Sequence, residues 1–150
     1  MNLPLTEAEN RWLADEDFAP CPMPGPFVPA LMPVLCKAEG RYLTFRVEAR
    51  PAHCNGHGTV HGGFIATLAD IWLAYNVIHL LPKTVGVVTA SLTVDYLAPC
   101  KAGDFLESQM DRIKLGAKLC HASGAILRKG QPVAAMRGSF AVVEGRAAGD

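Results

Sequence analysis

The stretch NGHGTVHGGFIATLAD, Asn55 to Asp70, reads in two halves. Its first nine residues hold four glycines and two histidines, and the remainder turns apolar before closing on a carboxylate. The apolar half runs on to Leu81. Gly62–Leu81 is apolar nearly all round, the pattern of a helix buried on every side, and Pro82 ends it. A single helix of this kind needs something to wrap it. Tyr42–Ala49 alternates as a strand, with Leu43, Phe45, Val47 and Ala49 on one face and Tyr42, Thr44, Arg46 and Glu48 on the other. Thr84–Leu97 reads as a long strand that places Val88, Ala90, Leu92, Val94 and Tyr96 on one face. Further strands are expected over 104–114, 118–128 and 132–144, with turns at Leu115-Gly116 and Lys129-Gly130-Gln131. Strand, buried helix, then several antiparallel strands predicts an α+β fold in which a curved antiparallel sheet wraps one helix.

Ahead of this core, residues 5–17 read as a short acidic helix, capped by Thr6 with Glu9 completing a capping box. Residues 19–33 are proline-rich and are expected to run extended over the surface, without regular helix. The 150 residues suit one core, and we see no internal repeat or interdomain linker. We therefore divide the chain into an N-terminal extension, 1–32, and a core domain, 33–150.

Half of the residues are hydrophobic and only 19% are charged, which suits a subunit with surfaces buried in an oligomer. The formal net charge is zero and there is no basic block, so no nucleic-acid partner is expected. The five cysteines are scattered, as free thiols in a reducing compartment would be. The N-terminus lacks the apolar core of a signal peptide. Phe64–Leu81 approaches membrane length but contains Asp70, Asn76 and His79, which favours a buried helix over a span. A cytoplasmic protein with no membrane partner is the expectation.

Between Pro51 and Val94 the only formally charged residues are Asp70 and Lys83. Lys83 suits the end of the helix. Asp70 lies mid-helix among Leu68, Ala69, Ile71 and Trp72, so it must be paired, neutral or at a cleft. It is either a satisfied core aspartate or a tuned base or nucleophile. The glycines favour the second reading. Gly62 and Gly63 open the helix, where free N–H groups and the dipole can hold an oxyanion, and glycine there would let a ligand approach the backbone. A double glycine also serves plain tight turns. His53, His57 and His61, with Cys54 alongside, have a spacing that a helical zinc site would use, but the glycines argue against helix here, and no metal or other cofactor is expected. His61 reads as a loop-fixing residue. Asp70 lies eight residues beyond Gly62, about 12 Å along the axis. If both act in one site, the acid must come from a second subunit.

Asn55, Gly58 and His61-Gly62-Gly63, followed by Asp70 in the helix, resemble the signature of hotdog-fold acyl-CoA thioesterases of the phenylacetate-pathway (PaaI-like) type. Val88-Thr89-Ala90-Ser91-Leu92 and Tyr96-Leu97-Ala98-Pro99 are similar to the family's next strand, and the resemblance covers roughly residues 33–145. It implies a hotdog fold and a homodimer with a continuous sheet, paired again into a tetramer. It also implies hydrolysis of coenzyme A thioesters without a metal. Carried over by position, Gly62 gives its N–H to the thioester carbonyl and Asn55 polarises that carbonyl or places water. Asp70 of the other subunit is base or nucleophile, and Thr89 helps position the water. His61, Gly63 and Phe64 are expected to touch substrate. Phe64, Trp72 and Tyr75 suit either an acyl pocket or the core. Arg128, Lys129 and Arg137 are cations in the region where coenzyme A phosphates would need them, without being assigned. Two other functions remain open on sequence: a non-catalytic acyl-CoA-binding module, and a hydratase or dehydratase using His57 or His61.

Overall fold

The computed structural model describes residues 3–145; the ends of the extension and core assignments, 1–2 and 146–150, lie outside the described residues. Helix α1 (Glu7–Asp15) is followed by the short strand β1 (Ala19–Pro20), helix α2 (Phe27–Leu31), and strands β2 (Leu35–Glu39) and β3 (Tyr42–Glu48). Then come the long helix α3 (Gly62–Leu80) and strands β4 (Val85–Tyr96), β5 (Phe105–Lys114), β6 (Leu119–Arg128) and β7 (Gln131–Glu144). The seven strands form one sheet in the order β1-β2-β3-β5-β6-β7-β4, and every pair is antiparallel. It wraps α3, which is the hotdog fold that the residues between Asn55 and Asp70 imply. The expected long helix and all five expected strands are present, and their ends fall within a residue of the expected ones.

α3 is long and apolar enough to cross a membrane by length and composition. Here Leu68, Ala69, Trp72, Leu73 and Val77 are sealed against the sheet, each 1% exposed or less, and the Trp72 ring stacks on Phe45 with centroids 6.1 Å apart. Each large apolar side chain buried in this way contributes about 1.5–3 kcal/mol. Trp72 thus belongs to the core. The one polar side chain fully buried in α3 is Asn76. Its Oδ1 accepts from the Leu43 N–H at 2.8 Å, and its Nδ2 donates to the Leu43 carbonyl at 3.1 Å and to the Trp72 carbonyl at 3.0 Å. Direct pairing of β3 with β5 covers only Arg46, Val47 and Glu48. Where the strands part, Asn76 and Ser108, whose hydroxyl accepts from the Phe45 N–H at 2.9 Å, supply the missing backbone partners.

The extension departs from expectation in two places. α1 carries the expected capping box, but it also covers the outward face of β3, where Arg46 bonds Glu16 at 2.6 Å and the buried Glu9 bonds Arg50 at 2.7 Å. The proline-rich run is not wholly extended: Phe27–Leu31 closes one helical turn. Pro29 is tolerated because it sits in the first turn, where its missing N–H had no partner to lose. A strand at β2 was not foreseen.

β4 corrects a further expectation. Its pairing with β7 runs Thr89↔Phe140 and then Ser91↔Ser139, so Ala90 is an extra residue, a β-bulge. A bulge reverses which side chains face inward. Leu92 and Val94 pack against the core as expected, but Val88 is turned outward at 54% exposure, and Val87 packs inward in its place.

Candidate active site

Asp70 stands half-buried on α3, at the edge of a cleft of about 410 Å³ lined by Ala66, Thr89 and Leu92 and, across from them, by Phe27 and Val28. The Thr89 hydroxyl donates to Asp70 Oδ1 at 2.6 Å. The bulge makes this contact possible. Without it Thr89 would share the outer face with Ser91 and Thr93, as the plain alternation predicts. One carboxylate oxygen is held by Thr89, and the other has no hydrogen-bond partner among the described residues.

The start of α3 forms a second group. His61 is the N-cap residue, and its ring Nδ1 accepts from the Gly63 N–H at 2.8 Å. The His61 carbonyl takes the N–H groups of Phe64 and Ile65 at 2.9 and 3.2 Å. Among the described residues the N–H of Gly62 has no partner, so it is the free donor of this turn. The Tyr96 hydroxyl donates to the Gly62 carbonyl at 2.7 Å. These neighbours revise the reason for the glycines. A Cβ on Gly62 would lie 3.3 Å from the Tyr96 ring, and one on Gly63 would lie 3.0 Å from His61 Nδ1. The space a side chain would take at either glycine is filled by the protein's own rings. His61 fixes the loop, as read. Gly63 spends its N–H on that histidine, so its expected touch on substrate has no backbone donor behind it. Phe64 is buried and stacked on His53, centroids 3.8 Å apart, away from the cleft surface.

Asn55 organises its own loop. Its Oδ1 accepts from the His57 N–H at 2.9 Å, and its Nδ2 donates to Thr59 Oγ1 at 2.9 Å. The second Nδ2 proton is the part of this amide that can reach a ligand. The three loop histidines do not converge. The buried His53 bonds the Leu31 carbonyl through Nε2 at 2.7 Å and takes the Arg50 N–H on Nδ1 at 3.0 Å. His57 is exposed, and the His61 ring is engaged with Gly63. Arg128 is committed as well, to the Pro99 carbonyl at 2.6 Å and Asp104 at 3.2 Å.

Both groups lean on β4, Asp70 through Thr89 and Gly62 through Tyr96. Thr89 and Tyr96 are seven residues apart, about 23 Å along a strand. Within one chain the two groups therefore form separate clefts, the second lined by Val60, Ile65, Tyr96 and Pro99. Sequence reading named His53 only in a zinc spacing and Tyr96 only in a strand, without the contacts they make here, and gave Phe27 no role. Two glycines in a helix's first turn signal that something large packs there, which points to a ring such as Tyr96. Phe27 gave no signal, because its segment read as extended.

A family model described as the thioesterase superfamily matches residues 57–135. A candidate esterase of Pseudomonas aeruginosa is 32% identical over 126 residues, covering 83% of this chain and 94% of that one. A variant of the phenylacetic acid degradation protein PaaI from Thermus thermophilus has 27% identity and a TM-score of 0.67, covering 78% of this chain and 98% of that one. A Bacillus halodurans protein, solved with coenzyme A, has 26% identity and a TM-score of 0.67, covering 74% of each chain.

Proposed function

The chain belongs to the thioesterase superfamily as a PaaI-like, hotdog-fold thioester hydrolase, and from that premise we propose that it cleaves acyl-coenzyme A thioesters at a site shared by two copies. The observation that carries the reading is that an oxyanion donor and an acid, both on α3, are each bonded to the same strand, Gly62 through Tyr96 and Asp70 through Thr89. β4 is an edge strand of twelve residues with its outer side unpaired among the described residues. An antiparallel pairing of β4 with β4 of a second copy, centred between Leu92 and Thr93, sets Thr89 of each copy beside Tyr96 of the other. Asp70 of one then faces Gly62 of the other, which removes the distance of about 12 Å along the helix.

In that site the Gly62 N–H, at the positive end of α3, and the free Nδ2 proton of Asn55 receive the carbonyl oxygen as it becomes an oxyanion. Asp70 takes a proton from water while Thr89 holds the other carboxylate oxygen and fixes the direction of approach. The tetrahedral adduct collapses, expelling the coenzyme A thiolate, which collects the proton. A thiolate leaves readily, so one base and one oxyanion site suffice, with no metal or other cofactor required of the residues. A hydratase would need a free histidine ring beside the acid; His53 is tied to Arg50 and Leu31, and His61 Nδ1 is taken by the Gly63 N–H. A dimer, paired further into a tetramer, in the cytoplasm is the setting that this reading expects.

The test is thiol release from a panel of acyl-CoA thioesters, with subunit exchange. Asp70→Asn and Gly62→Val, each inactive alone, are expected to regain about a quarter of wild-type activity when mixed, since half of the dimers are hybrids with one intact site of two. No recovery in hybrids shown to form by mass would sink the shared site. Hydrolysis in heavy-oxygen water separates base from nucleophile, because only an acyl-aspartate intermediate carries label into Asp70.

A further inference from the structure

We propose that Phe27, seated on α2 with Val28 beside it, is the acyl-selectivity wall of the Asp70 cleft and favours thioesters with a bulky apolar tail over short ones. The inference deepens the thioesterase reading and rests on it. Phe27 is 65% exposed, the most exposed large apolar side chain among the described residues, and it lines the cleft of Asp70. Its platform is fixed. On one side Ala19 and Pro20 pair with β2, and the Cys21 N–H bonds the Val34 carbonyl at 2.8 Å. On the other, Met32 is buried and its N–H bonds the Val28 carbonyl at 3.0 Å, while His53 holds the Leu31 carbonyl at 2.7 Å. A large ring held rigidly in water beside a catalytic carboxylate leaves apolar area for a ligand to cover.

The cleft says which part of the substrate covers it. Apart from Asp70, its polar groups are Thr89, which bonds Asp70, and Thr67, whose hydroxyl bonds the Gly63 carbonyl at 2.9 Å. Among the described residues no lysine, arginine or histidine lines it. The phosphates of coenzyme A therefore have no counter-charge here, and the neutral acyl end does. With the carbonyl carbon at Asp70, the tail runs between Leu92 and Ile71 toward the Phe27 ring, which takes an aryl or extended alkyl group. Phe27 lies outside the 57–135 stretch that matches the family. Selection of the acyl group is thereby placed in the extension, apart from the residues that carry the chemistry.

The test compares kcat/KM for acetyl-, hexanoyl- and phenylacetyl-CoA in wild type, Phe27→Ala and Phe27→Leu, with Leu115→Ala in an exposed turn as control. The ratio of bulky to acetyl thioester is expected to fall about tenfold in Phe27→Ala. It should fall less in Phe27→Leu and stay constant in the control. An unchanged ratio in Phe27→Ala overturns the proposal. So does an equal loss on all three thioesters with a lower assembly mass by light scattering, which would assign the ring to a subunit contact. If wild type hydrolyses none of them, the hydrolase reading fails, and the wall is then tested by calorimetry with the non-hydrolysable thioethers of the same acyl groups. A Kd ratio that falls in Phe27→Ala upholds it, and a constant one overturns it.

Discussion

The Thr89 hydroxyl reaches Asp70 Oδ1 at 2.6 Å because Ala90 bulges out of the β4–β7 ladder one position later. One inserted residue converts an outward threonine into the partner of the cleft's carboxylate. The acid of α3 is thereby tied to the strand on which a second copy would dock.

Replacing Asp70 by asparagine keeps the shape of the site and removes the base. We expect kcat for thiol release to fall about a thousandfold. Thr89→Val should cost about tenfold and Thr89→Ser almost nothing, because only the hydroxyl is used. Equal rates for Thr89→Val and wild type would take the hydroxyl out of the mechanism.

The two glycines separate stability from activity. Gly63→Ala drives a Cβ to 3.0 Å from the His61 ring and undoes the cap, and His61→Ala removes it outright. Both are expected to lower unfolding free energy by about 1 kcal/mol. Gly62→Ala meets only the exposed Tyr96 ring, at 3.3 Å, which can shift. It should cost less stability than Gly63→Ala and more activity, since it crowds the free donor. Urea unfolding beside kcat/KM for the same three proteins checks the inversion.

Asn76→Ala strands the part-buried N–H and carbonyl of Leu43. Leaving such groups unmet costs about 1–3 kcal/mol each, so a loss of about 3 kcal/mol is expected in urea unfolding. Asn76→Asp restores only the acceptor and should not recover it. A loss under about 1 kcal/mol would mean that β3 and β5 close up to satisfy Leu43 between themselves.

Burial holds the His53 imidazole below its usual titration range, against the opposing pull of its bond to the Leu31 carbonyl. Nδ1 accepts from Arg50, so the neutral ring with its proton on Nε2 is the form that fits. The folded protein takes up this proton less readily than the unfolded chain. The stabilisation is complete above about pH 6.5 and drains away as pH falls toward the lowered folded value. Melting temperatures at about pH 7.5 and pH 5.5 should show a drop that narrows in His53→Gln. An equal drop in the variant would assign it to other groups.

Much of this was legible in the sequence. Gly62–Leu81 is apolar on all sides and bounded by glycine and proline, so both its burial and its limits are written locally. The alternation of Tyr42–Ala49 is local too, and so is the turn at Lys129 and Gly130, where both residues have positive φ. The face of Thr89 was not legible. A bulge is decided by the pairing partner, and Val88 to Tyr96 reads equally well without one. Asn76 looked like an isolated polar residue because its partners, the backbone groups of Leu43, lie far back in the chain. The helical turn at Phe27 was masked by the prolines around it, one of which sits at the position where a helix accepts it.

The two edges of the sheet are unlike. At one, β1 offers only Ala19 and Pro20, and proline has no N–H to give a further strand. The other, β4, presents twelve residues. A subunit with two open edges adds copies at both ends and grows into a filament. With one edge blunted, a strand-to-strand join uses up the only surface able to propagate, and growth stops at two copies. In the proposed dimer the proline run that looked like a surface strap would also be what ends a polymer.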